Sequence, residues 1–298
     1  DIQVEFSGVE GSDFAAKIIA EREGGSFLWD VHSGGPTTAL TVLKPKGVLD
    51  PLRPVLLLPD VLDGSKWLGG LDDGWKDSEG RFVFGFESRL VPPVWINRDL
   101  VPESELSSID QLLEPKWKGK IITRDPRLSG TASAAGTYLL IVKGEGWLRQ
   151  LYSQNLVINN DERAAIEAVV RGVYPILMGV NQSNIDGFQR EGLGKNIKPL
   201  DPDPDGKLGQ WAVSARGHAM LINKAPHPNA ATVFINWLLS KDGQQAYLEA
   251  TSLNSRRLDV GGPPESAPKP NVKIVDADHE KNLPYNKRAK DLAGELIK

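Results

Sequence analysis

The stretch Ser33-Gly34-Gly35-Pro36-Thr37-Thr38 closes a short apolar run, residues 27–32, and opens a helix. Its residue types suit anion capture. Two glycines permit close backbone approach, and Pro36 fits the first helical position, where its missing N–H costs nothing. Thr37 and Thr38 then offer N–H groups and hydroxyls at a helix start. A tight turn with no ligand satisfies the same pattern equally well. Four further stretches follow predicted strands. In Arg124-Asp125-Pro126-Arg127-Leu128-Ser129-Gly130-Thr131, Arg127 suits bidentate pairing with a carboxylate or phosphate, and Ser129 or Thr131 suits a helix cap. The competing reading is an Asp-Pro turn with a solvated arginine. Asn160-Asp161-Glu162-Arg163 offers Arg163, against ordinary helix-end electrostatics. Asn181-Gln182-Ser183 offers short amides, which are also routine caps. Ser214-Ala215-Arg216-Gly217-His218 offers Arg216, with His218 read as a packed or solvated histidine.

The candidate ligand-binding residues are therefore Ser33, Gly34, Gly35, Thr37, Thr38, Arg127, Ser129, Thr131, Arg163, Asn181, Gln182 and Arg216. No catalytic residue, metal ligand or cofactor is expected. The chain has no cysteine and four isolated histidines, so a zinc or thiol reading has little to stand on. It carries no G-x-S-x-G elbow either.

The elements that must position these residues read as two α/β blocks. Residues 2–6 alternate as a half-buried strand does. Phe14, Ala15, Ile18 and Ile19 form one apolar helical face, which Gly24-Gly25 ends. Strand and helix follow again at 27–43, the grammar of a parallel sheet. Residues 45–75 are a Pro-, Gly- and Asp-rich excursion. A second block alternates strand and helix from Gly119 to Gly192, and residues 209–223 return as an extended run. A helix pair follows at 225–250, with Val233, Phe234, Trp237 and Leu238 as its apolar stripe and Asp242-Gly243 as its break. The last forty residues end in a helical tail, 287–298. Most of the eight tryptophans read as core or rim packing, with Trp29 and Trp211 nearest the proposed ligand segments.

The blocks imply two lobes: 1–95 with 219–260, and 98–215, with 261–298 as a tail packed on the outside. Residues 94–97 and 212–218 are the expected crossing strands of a hinge. At 298 residues, 40% hydrophobic and 25% charged, the chain can bury a sizeable core. Its net charge of −4, with basic residues dispersed, argues against nucleic acid. No apolar run approaches the roughly 18 residues of a membrane span.

In this order, "GKIITRDPRLSG", "APHPNAATVFINWLLSKDGQQ" and "NSRRLDV" resemble the extracellular solute-binding proteins of bacterial ABC importers, nearest to the type II, iron(III)-type subgroup. The resemblance implies an α/β, two-lobe periplasmic-binding-protein fold. It also implies a receptor that closes on a small anionic or metal-chelate ligand by hinge bending and is then recognised by a membrane permease. Such a protein is expected to be a monomer, periplasmic or anchored outside the membrane. Two departures stand out. Relatives normally begin with one more strand and helix than the segment starting at Asp1, and ferric-binding members carry two adjacent tyrosines. Here Tyr138, Tyr152, Tyr174, Tyr247 and Tyr285 are isolated, which puts direct Fe3+ ligation in question. The rival readings are an α/β hydrolytic enzyme and a homologue that binds nothing.

Overall fold

The computed structural model describes residues 2–9, 11–128, 130–201, 209–213, 217–251, 253–262 and 273–297. Ser129 and Arg216 lie outside them. The chain divides into two compact units: 1–89, 213–268 and 278–281 form unit 1, and 90–212, 269–277 and 282–298 form unit 2.

In chain order, unit 1 opens with α1 (Gly11–Glu23), β1 (Val31–Ser33), α2 (Pro36–Thr38), β2 (Leu49–Asp50), α3 (Pro59–Leu62) and β3 (Phe84–Gly85). Within β4 (Arg89–Leu90) the chain enters unit 2. There it forms β5 (Val94–Asn97), β6 (Ile121–Thr123), α4 (Thr131–Lys143), α5 (Glu145–Tyr152) and β7 (Val157–Ile158). Next come α6 (Glu162–Val170), β8 (Ile176–Met178), α7 (Gln182–Arg190) and β9 (Ile197–Pro199). It leaves within β10 (Gln210–Val213), and unit 1 resumes with β11 (His218–Ile222), α8 (Pro228–Leu239) and α9 (Lys241–Thr251). The last elements are β12 (Ile274–Asp276) and α10 (Leu283–Leu296). The crossings thus fall at 89/90 and 212/213. Val94–Asn97, expected as a crossing strand, lies inside unit 2 with β8 on one edge and β9 on the other.

In unit 1, β11 is central. It pairs antiparallel with β1 (Val31 opposite Leu221), with β2 and with β3. The strand-helix grammar of the N-terminal block had suggested parallel pairing. The partner of β1 instead returns from 185 residues along, so no helical crossover constrains its direction. Residues 2–9 form no strand and their side chains are exposed, Phe6 to 90%. Alternation makes a strand only where a neighbouring edge is there to take its hydrogen bonds.

Helices α1 and α8 contribute buried faces. Phe14, Ala15 and Ile18 are buried on α1, as the periodicity requires. On α8 the buried face is Ala231, Ile235, Leu238 and Leu239, while Val233 and Trp237 of the expected stripe are exposed. Asn236 turns inward there because it is fully used. Its Oδ1 accepts from Leu57 N (2.7 Å) and Leu58 N, and its Nδ2 donates to Val55 O (2.7 Å). The break between α8 and α9 falls at Ser240, and Asp242-Gly243 sit in the first turn of α9. The "NSRRLDV" motif serves as a staple. Buried Arg257 pairs with Asp259 and Asp60, and Arg256 with Asp73.

Unit 2 carries a five-stranded sheet in the order β7-β6-β8-β5-β9. β6 runs parallel to β7 and β8, as strand-helix-strand connections demand. β5 is antiparallel to both its neighbours. Trp95, Ile122, Ile166, Val169, Leu177 and Phe188 are part of one core cluster. α10 packs on α4 and α5, where Arg288 pairs with Glu145 and Asn286 Nδ2 donates to Thr137 Oγ1 (3.1 Å). Trp211 is buried and stacks on Tyr138, so it is a core residue.

Candidate functional site

In unit 1 the turn 33–38 follows β1 at a strand end. Gly35 is the extended N-cap residue of α2 and Pro36 stands in the first turn, as the sequence implies. The helix continues as a π-helical stretch, Ala39–Leu43. No side chain caps the start. Ser33, Gly35 and Thr37 are exposed, and Gly34 and Thr38 are half-buried. Glycine at 34 has a steric reason: a Cβ there would lie 2.7 Å from His32 Nε2. That imidazole is held in place by stacking on Phe14, ring centroids 4.2 Å apart, and burial pushes its pKa down to about 4. Gly34 O lies 2.9 Å from Nδ1 of buried His218. The turn is rigidly backed and its outer face is open.

In unit 2 three helix starts meet at the carboxyl ends of β6 and β8, where ligands collect in open α/β sheets. Asp161 caps α6, accepting from Ala164 N (3.0 Å). Asn181 precedes α7, and Thr131, the first residue of α4, donates from Oγ1 to Asn181 Oδ1 (2.9 Å). The strand-to-helix corner at Gly179 needs glycine twice over. Its φ is +63°, and a Cβ would come within 2.6 Å of Ala132 Cα. Glu162 sits at the middle of the cluster. Its Oε1 accepts from Asn181 N and from Asn184 Nδ2 (2.8 Å), and its Oε2 from Asn181 Nδ2 (3.1 Å) and Arg124 Nη1 (3.3 Å). Asn160 Oδ1 accepts from Asp125 N (3.0 Å), tying the β6 loop to the α6 loop. At the same strand ends lies a small pocket lined by Thr123, Pro126, Met178, Gly179 and Tyr152 among others. The buried Tyr152 hydroxyl has no hydrogen-bond partner among the described residues, and burial pushes its pKa up.

Of the sequence-derived candidates, the structure brings Thr131, Asn181 and Gln182 together here. Gln182 opens α7, and its buried Oε1 has no hydrogen-bond partner among the described residues. Arg127 does meet a carboxylate bidentately, but it is the chain's own Asp125 (Nε 2.8 Å, Nη2 2.7 Å), whose pKa the arginine lowers. Arg163 pairs with Glu167 one turn on and lies over the Phe188 ring. One residue along a helix is a rotation of about 100°, so Glu162 enters the cluster and Arg163 stays on the exposed face. Arg124, Glu162 and Asn184 are the residues that the sequence reading passed over in favour of their neighbours. The available signal was Glu162 itself, an acid in a first helical turn flanked by other predicted helix starts. Among the described residues no group of three or more His, Cys, Asp or Glu side chains is placed to hold a metal ion. No helix of the described residues is long and apolar enough to cross a membrane.

Comparison with known proteins supplies the context for this geometry. The family model for bacterial extracellular solute-binding protein matches residues 1–245. Iron uptake protein A1 of Synechocystis sp. is 26% identical over 209 residues, 66% of this chain and 53% of that protein. The chain thus spans about half the length of the curated relatives it matches. Among solved structures, a Trichodesmium protein (IdiA, FutA) in complex with iron and citrate superposes with a TM-score of 0.73 at 20% identity, covering 97% of this chain and 89% of that one. Apo FutA2 from Synechocystis PCC6803 gives 0.72 at 20% identity, covering 97% and 90%. At these identities the likeness establishes the fold, the two-lobe periplasmic-binding-protein type.

Proposed function

This chain belongs to the bacterial extracellular solute-binding proteins, and from that premise we propose that it is the receptor of an ABC importer. It captures a small anionic or metal-chelate ligand and hands it to a membrane permease. The observation that carries this reading is the convergence of α4, α6 and α7 on Arg124, Thr131, Asn181 and Asn184 at the strand ends of unit 2. These amide and guanidinium groups are the donors an oxyanion recruits, and in the free chain they are turned on its own Glu162 carboxylate, which a bound solute displaces or complements. In unit 1 the helix start at exposed Thr37 and half-buried Thr38 offers N–H and hydroxyl donors of its own. A relative solved with iron and citrate supports a chelate as cargo. The dispersed tyrosines support a chelate over bare Fe3+: Tyr138 and Tyr152 are both core residues. Capture and release need no bond to be made or broken, so no residue is assigned a catalytic role. We place the protein in the periplasm, or anchored at the outer face of the membrane, as a monomer.

A thermal-shift screen with ferric citrate, citrate and sugar phosphates tests the reading, because a ligand bound only by the folded chain raises the melting temperature by mass action. At a concentration of 100 times Kd the stabilisation is about 2.7 kcal/mol. A flat response to all three classes, with no binding by calorimetry, removes the ligand assignment.

A further inference from the structure

The carboxylate of Glu162 lies where an incoming oxyanion would sit. Each of its oxygens accepts two hydrogen bonds: Oε1 from Asn181 N and Asn184 Nδ2, Oε2 from Asn181 Nδ2 and Arg124 Nη1. That leaves little acceptor capacity on either atom. The donors are the ones a free phosphate or carboxylate ligand would recruit: a backbone N–H at the start of α7, two side-chain amides and a guanidinium. The arrangement is built rather than incidental. Thr131 Oγ1 donates to Asn181 Oδ1, which turns Asn181 Nδ2 toward the carboxylate. The Glu162 side chain is only 12% exposed. A second oxyanion cannot use the N–H groups that already point at Glu162. It would have to displace the carboxylate, or sit beside it against like-charge repulsion, which costs several kcal/mol in a desolvated place.

We propose that Glu162 is a specificity-determining residue, an internal carboxylate that occupies the oxyanion donors of unit 2 and excludes free oxyanions. The half-site then discriminates by requiring a solute that displaces the carboxylate or brings positive charge to it, and abundant small oxyanions fail on both counts. This rests on the receptor reading only in assigning the donors to solute capture. The exclusion itself is a property of unit 2 alone.

The test is calorimetric titration of the full chain with inorganic phosphate, comparing wild type, Glu162→Gln and Glu162→Ala, with the unfolding midpoint of each measured alongside. Wild type is expected to bind phosphate weakly or not at all. Glu162→Ala is expected to bind at least about tenfold more tightly, from relief of one like-charge contact, and Glu162→Gln to fall between. Glu162→Gln keeps the side-chain shape, so it carries the test if the alanine variant does not fold. Adding Asn184→Ala to Glu162→Ala should lose most of the gain, which locates the phosphate on these donors. Folded Glu162 variants that bind phosphate no better than wild type overturn the proposal. So does a double variant that binds as Glu162→Ala does, because the anion then sits elsewhere. The titration requires no transported solute, so failure of the ligand screen above leaves its outcome interpretable.

Discussion

The turn at 33–38 in unit 1 and the cluster around Glu162 in unit 2 both set a helix start at the end of a strand, yet they treat it in opposite ways. In unit 1 no side chain caps α2, and Thr37 points to solvent. In unit 2 the start of α7 is satisfied from within by a carboxylate nineteen residues upstream in the chain. The difference teaches that a helix start at a strand end is not in itself a vacant anion site. What decides is whether the chain has already supplied the anion.

The comparison can be sharpened through pH, where the largest effect is expected. His32 has a folded pKa of about 4 because it is buried, against 6.5 unperturbed. The unfolded chain therefore binds more protons between those values, and stability rises with pH across that window. Lowering the pH from about 6.5 to 4 should cost unit 1 up to about 3 kcal/mol. Unit 2 behaves differently: Glu145 is held near 2 by hydrogen bonds from Arg288 and then Arg149. A depressed carboxylate stabilises above its unfolded pKa, and that contribution is lost only as pH falls from about 4.5 toward 2. Denaturant midpoints at pH 7, 5, 4 and 3 should show two separate losses, and His32→Gln should flatten the upper one. A midpoint constant from pH 7 to 4.5 would contradict the assignment to His32.

The next effect is steric. Gly34→Ala places a Cβ against a ring that is itself locked on Phe14, with an expected destabilisation of about 1–3 kcal/mol. An unchanged midpoint would mean that the ring swings aside freely. The smallest effects form a pair. Thr131→Val removes the bond that orients Asn181 and should cost about 1 kcal/mol of stability. Thr37→Ala, at an exposed position, should stay within about 0.5 kcal/mol of wild type. Any loss of ligand affinity in Thr37→Ala then reports a contact with ligand rather than a weakened fold. Equal stability costs for the two threonines would erase the contrast between open and self-satisfied helix starts.

Local pattern alone made much of this molecule legible. Pro36 after two glycines, Asp161 before an apolar helix and the period of Phe14, Ala15 and Ile18 each act within a turn or two of chain, where spacing dictates geometry. The three quoted motifs carried the family, and alternating strand and helix carried the parallel part of the unit 2 sheet. What only the tertiary structure decided depends on partners far away in sequence. Strand β1 pairs with β11 because the chain returns to unit 1. Residues 2–6 form no strand despite their alternation. Asn236 faces inward because Leu57 and Leu58 need an acceptor. Glu162 rather than Arg163 enters the cluster because a helix turns about 100° per residue and its docking angle on the sheet selects one of the two. A sequence records which side chains are able to donate or accept. Which donor meets which acceptor is set by packing, since a hydrogen bond is decided over tenths of an ångström and Arg124 and Glu162 are brought to that range only by the folded sheet.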